Sequence, residues 1–68
     1  MNTTNLETRP LAHQGSIKSF GYFGPKYEVG PVLRVLGDGD SMVEIKLLES
    51  GEKAEYRLSH IDNDPDAH

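Results

Sequence analysis

SMVEIKLLESGEKAEYRLS, residues 41–59, decides the fold class. In its first arm Val43, Ile45 and Leu47 alternate with Met42, Glu44 and Lys46. In its second arm Ala54, Tyr56 and Leu58 alternate with Lys53, Glu55 and Arg57, and Ser50-Gly51 lies between the arms. A period of two on both sides of a glycine-containing loop is the pattern of a β-hairpin with one apolar face.

The same period runs upstream. In KYEVGPVLRVL, residues 26–36, Tyr27, Val29, Leu33 and Val35 are expected on one face and Lys26, Glu28, Val32 and Arg34 on the other. Gly30-Pro31 interrupts this strand, and a proline cannot donate to a ladder, so the strand lies at an edge or is bulged there. Gly37-Asp38-Gly39-Asp40 reads as the turn that leads into the hairpin. SIKSFGYF, residues 16–23, can form a further strand weakened by Gly21, and Gly24-Pro25-Lys26-Tyr27 reads as a turn. At the other end, Ser59-His60-Ile61-Asp62 has the form of a capping box, and Pro65 leaves room for one helical turn.

These elements predict an all-β domain: a small SH3-like barrel, or a three- to four-stranded antiparallel meander, with a short C-terminal helical turn. Its expected organisation is a mobile N-terminal arm over 1–15, the β domain over 16–62 and an acidic tail over 63–68. The expected core is Ile17, Phe20, Phe23, Tyr27, Val29, Leu33, Val35, Val43, Ile45, Leu47, Tyr56, Leu58 and Ile61. Tyr22 is expected to be the most exposed ring of the stretch 18–27.

Composition bounds the function. Sixty-eight residues allow one domain with a marginal core. The chain has no cysteine, so disulfides and thiolate zinc sites are excluded. No apolar run approaches a membrane span and the N-terminus lacks a signal-peptide pattern, so a cytoplasmic protein is expected. The net charge is −4, with residues 16–58 nearly neutral and Asp62, Asp64 and Asp66 unbalanced by any Lys or Arg after Arg57. A duplex-DNA binder is expected to carry a basic patch, and none is evident.

KSFGYFGPKY, residues 18–27, gathers four aromatic rings and two lysines. Lys18, Phe20, Tyr22, Lys26 and Tyr27 partly match the aromatic strand of RNA-binding domains, on which bases stack. The competing reading makes Phe20, Phe23 and Tyr27 core residues, and a core this small needs them. The neutral-to-acidic charge favours the core reading, because phosphate contacts dominate nucleic-acid affinity.

Other signals are weaker. His13, His60 and His68 fit no metal-ligand spacing, and DNDPDAH lacks the glycine and terminal glutamate of a calcium loop. Ser59, His60 and Asp62 contain the residue types of a hydrolytic triad, but neighbours on one turn do not line up as nucleophile, base and orienting acid. No cofactor or metal is expected, and no enzyme.

Taken together, F-G-x-F-G-P-K-Y-E-V, G-D, V-E-I-K-L-x-E-S-G-E and Y-R-L-S-H-I-x-x-D-P-x-A resemble a family of short bacterial proteins described only as a domain of unknown function. The likeness covers about residues 16–67, with Phe23–Val29 its most specific part and the arm outside it. It implies a self-standing bacterial domain and no assigned activity. Three functions are carried forward. The first is an interaction module or homodimer that binds a protein through an edge strand and exposed Tyr22, Val32, Leu36, Met42 and Leu48. The second is a mobile-element inhibitor that presents Asp38, Asp40, Glu44, Asp62, Asp64 and Asp66 in place of phosphates. The third is a weak single-stranded nucleic-acid binder that uses the stretch 18–27.

Overall fold

The computed structural model describes residues 14–67. Within them, β1 (Ile17–Ser19), β2 (Lys26–Val35), β3 (Ser41–Leu47) and β4 (Lys53–Arg57) precede one helix, α1 (Leu58–Asn63). The strands form a single antiparallel sheet in chain order, β1-β2-β3-β4. β1 and β4 stay on opposite edges, so the sheet is an open meander and does not close into the SH3-like barrel. A strand of three residues is too short to curl round and meet β4. The expected arm lies outside the described residues except for Gln14 and Gly15, which form a turn.

Alternation places β3 as the sequence predicts, whereas in β4 Tyr56 is half-buried but Ala54, expected inward, is exposed at the sheet edge. Val43 and Ile45 are buried, opposite Tyr56 and Ala54. β2 follows its expected alternation only as far as Val29. Tyr27 and Val29 are buried opposite Leu47 and Ile45, but the register then shifts between Val29 and Val32 and again between Val32 and Arg34. Each bulge adds one residue on β2. Val32 therefore sits opposite core residue Val43, Arg34 opposite Met42, and Leu33 has no partner. Leu33 and Val35 are exposed, not core. The bulges expel Leu33, and α1, which packs on β3 and β4, leaves Val35 uncovered.

Among the described residues, five large side chains are fully buried: Tyr27, Val29, Val43, Ile45 and Ile61. Phe20, Leu47, Tyr56 and Leu58 pack against them while partly exposed, and Ile17 is half-buried. The aromatic members form a triangle. Phe20 lies 4.5 Å from Tyr27 and 5.1 Å from Tyr56 between ring centres, and Tyr27 meets Tyr56 edge-on at 5.7 Å. Such contacts add to what the rings gain by burial.

The acidic tail is docked against β1. Ser19 donates its backbone N–H to the Pro65 carbonyl (3.1 Å), and Ala67 donates to the Ile17 carbonyl (2.8 Å). Lys18 and Asp66 form an isolated antiparallel bridge and an ion pair at 3.7 Å. The tail thus pairs with the side of β1 that β2 leaves open. The Tyr27 hydroxyl donates to Asp64 Oδ2 at 2.6 Å. Burial, and then the Asp64 carboxylate, push the Tyr27 phenol far above its usual range, so it stays a donor.

The helix start is also a correction. Its N-cap is Arg57, whose side chain makes no capping bond, and Ser59 lies inside the helix. Asp40 from the β2–β3 turn supplies the acceptor instead: Oδ1 takes the Ser59 N–H (3.2 Å) and Oδ2 takes the Ser59 hydroxyl (2.7 Å). Pro65 follows the C-cap Asp64, whose backbone is extended.

Tyr27→Phe keeps the ring and removes the donor to Asp64. A hydrogen bond to a charged acceptor contributes about 1.5–3 kcal/mol. Urea denaturation is expected to give a loss of that size with an unchanged slope. An unchanged midpoint would mean that the Asp64 link does not hold the tail.

Candidate functional site

The loop between β1 and β2, residues 20–25, is short, closed and fixed at both ends. The Phe20 N–H donates to the Pro25 carbonyl (3.1 Å), and the Ser19 hydroxyl donates to the Gly21 carbonyl (2.6 Å). The Gly21 N–H donates to Asp64 Oδ1 (3.3 Å), so one carboxylate holds both this loop and Tyr27. Gly21 takes a φ of +71°, which suits glycine. At Gly24 a side chain would collide with the Phe20 carbonyl, so the loop can close this tightly only around glycine.

The tip carries Tyr22 and Phe23, 86% and 103% exposed. Phe23 was expected in the core and Tyr22 as the most exposed ring; Phe23 is the more exposed of the two. The turn at Gly21 and the Phe20–Pro25 closure swing both rings out, and Phe20 alone folds back onto Tyr27. Two neighbouring rings are therefore displayed on a pinned loop.

The residues of the base-stacking reading are not gathered into one platform. Tyr27 is buried, Phe20 packs on Tyr27 and Tyr56, and the Lys18 side chain is 11% exposed beside Asp66. Lys26 and Tyr22 are exposed. Asp64 and Asp66 lie against the same loop and strand, where they oppose phosphate.

The five candidate partner-binding residues are dispersed. Tyr22 is at the loop tip, and Val32 is on the core side of β2. Met42 is half-buried on the other face between Arg34 and Arg57, Leu36 is half-buried after β2, and Leu48 is exposed after β3.

The candidate phosphate mimics are mostly engaged within the fold. Asp38 and Asp40 accept from Arg57 at 2.8 and 3.4 Å. Glu44 lies 3.8 Å from Lys53, Asp64 accepts from Tyr27, and Asp66 pairs with Lys18. Asp62 is exposed on α1. Glu44 and Glu55 are directly opposite across β3 and β4, a repulsive arrangement. Lys53 offsets it at Glu44, and Arg34 reaches over β3 to Glu55 at 2.8 Å. A depression of about 290 Å³ beside this network is lined by Gly15, Glu28, Gly30, Glu44, Lys46 and Lys53.

The Asp40 carboxyl is held down to about 2, first by the Ser59 hydroxyl and then by the Ser41 N–H. Arg57 holds Asp38 below its usual range, and Arg34 does the same for Glu55. Of the residues in the triad-like set, the Ser59 hydroxyl is committed to Asp40, and His60 lies edge-on to Tyr56 at 5.4 Å. His13 and His68 lie outside the described residues. Among the described residues, no group of three His, Cys, Asp or Glu side chains could hold a metal ion, and no helix is long and apolar enough to cross a membrane.

Sequence reasoning included Tyr22 of the tip among the partner-binding residues but not Phe23, for which there was one signal. Tyr22 and Phe23 are adjacent, and in a strand adjacent residues cannot both face the core.

A family model described as "Family of unknown function (DUF5397)" matches residues 5–68. An uncharacterized protein of Haemophilus influenzae is 53% identical over 62 residues, which cover 91% of this chain and 98% of that protein. The chain belongs to this family of unknown function. The match begins at residue 5 and so takes in most of the segment that the resemblance had left outside.

Two outcomes follow. Asp40 has a folded-state pKa below its unfolded value, so its stabilising effect is present above about pH 4 and is lost as the pH falls towards 2. The urea midpoint of the wild type is expected to drop across that window, with a shallower drop in Asp40→Asn; parallel curves would remove Asp40 as the acid-sensitive cap. Gly24→Ala is expected to lower the melting temperature by several degrees and to open the Phe20–Pro25 closure, seen as faster exchange of the Phe20 amide. An unaltered amide would show that the loop tolerates the added methyl.

Proposed function

We propose that this member of the DUF5397 family is a non-enzymatic module that binds another protein, with Tyr22 and Phe23 as its anchors. The observation that carries this reading is the near-complete exposure of two adjacent rings on a loop pinned at Phe20, Gly21 and Pro25. Each aromatic side chain can bury about 150–250 Å². Two of them supply a large part of the roughly 800 Å² per partner of an ordinary protein interface. Aromatic residues are common energetic centres of such interfaces. A pinned loop also loses little conformational freedom on binding, which favours affinity. Exposing both rings gains the isolated domain nothing, and a fold with five fully buried large side chains among its described residues has few large residues to spare.

The aspartates near the loop weigh against nucleic acid as the partner, since Asp64 bonds the loop itself and Asp66 occupies Lys18. The inhibitor reading draws less support, because most of its carboxylates already have partners within the fold.

The test is capture from a bacterial extract by tagged full-length chain, compared with Phe23→Ser and Tyr22→Ser. Both variants are expected to melt at the wild-type temperature, because neither ring is buried, and to lose the captured protein. Capture that survives both substitutions would place binding elsewhere. Oligonucleotide binding at low salt that depends on Tyr22 would replace the protein partner with a nucleic acid.

A further inference from the structure

We propose that the stretch Val32–Val35 of β2 is a self-association edge, paired antiparallel with the same stretch of a second copy of this chain. The inference uses a different surface from the Tyr22–Phe23 tip. β1 keeps register with β2 only from Lys26 to Glu28, and the segment before it reaches one residue further, where Gly15 and Ser16 bond the backbone of Val29. Beyond Val29, no strand among the described residues pairs with β2 on that side, whereas β3 follows it on the other side to Val35.

The edge that no described residue covers is apolar. Val32, Leu33 and Val35 are 53%, 41% and 74% exposed, and Val32 lies over the buried Val43. Natural edge strands usually carry charges or other devices that block pairing with another chain. This one has Pro31, which removes one donor just before the stretch, and a single charge, Arg34.

Charge selects the occupant. Arg34 is already paired with Glu55 at 2.8 Å, so the stretch offers nothing to a charged partner strand. A neutral strand is complementary to itself, as a twofold interface requires. With the twofold axis at Leu33, Arg34 falls opposite Val32 of the other copy and Val35 opposite Pro31, whose carbonyl can still accept, and the two arginines do not meet. A contact built on one short strand is small beside the roughly 800 Å² per partner of an ordinary interface. The dimer is therefore expected to form and dissociate with concentration.

Sedimentation equilibrium on the full chain, from micromolar to millimolar concentration, tests this directly. The wild type is expected to shift from monomer to dimer, with slower exchange of the Leu33 and Val35 amides as the dimer fills. Val35→Lys and, separately, Leu33→Glu are expected to remain monomeric throughout with circular dichroism like that of the wild type. Val35 is so exposed that its variant has no packing to lose. Phe23→Ser is expected to dimerise as the wild type does. A wild type that is monomeric at every concentration overturns the proposal. So does a dimer that persists in both β2 variants, or one abolished by Phe23→Ser.

Discussion

The phenol of Tyr27 is shut away from water, and the Asp64 carboxylate is its acceptor. An unpaired buried hydroxyl would be costly, so the chain must bring an acceptor to it. That acceptor arrives from the far end of the sequence, immediately after the helix. Bringing it there lays residues 65–67 along β1, and the other oxygen of the same carboxylate takes the Gly21 amide. One carboxylate thus ties together the core, the helix end, the β1–β2 loop and the tail. The display of Tyr22 and Phe23 depends on it too, because the loop that carries them is anchored through Gly21.

A second set of polar contacts stiffens the opposite end of the sheet. Asp38 and Asp40 hold Arg57 at the end of β4, and Asp40 also receives the first turn of the helix. Individually, exposed ion pairs contribute little to stability. Their placement matters more than their number. They join the β2–β3 turn to the junction of β4 and α1. The two bulges in β2 lie between these polar clamps, and the helix packs on β3 and β4, which leaves Val35 uncovered.

The hairpin and its turns were legible because alternation and glycine placement are local properties of the chain. Tyr27, Val29, Val43 and Ile45 could be assigned to the core for that reason. Leu33 and Val35 could not be placed correctly, because their faces depend on how many residues the bulges insert, and that is settled by pairing with β3. Phe23 was read as core because the demand for buried rings was counted before the loop closure was known. The carboxylates were read as solvated charge or phosphate mimics. Asp64 had a legible clue all the same: a core tyrosine needs an acceptor, and Pro65 fixes the backbone just beyond that residue. The capping role of Asp40 was hidden behind Ser59, whose spacing to Asp62 imitates a capping box.

The foreign cap on α1 also orders events in time. A six-residue helix cannot hold itself together in water, because nucleation is unfavourable and too few bonds follow it. One of its free N–H groups, that of Ser59, is satisfied by a residue 19 positions earlier, at the end of the β2–β3 turn. Neither that turn nor the end of β4 is in place until β2, β3 and β4 have paired. The helix is therefore a late product of assembly rather than a seed for it. Changes confined to α1 belong to the descending side of the folding barrier, where they hasten unfolding and leave the rate of folding almost untouched.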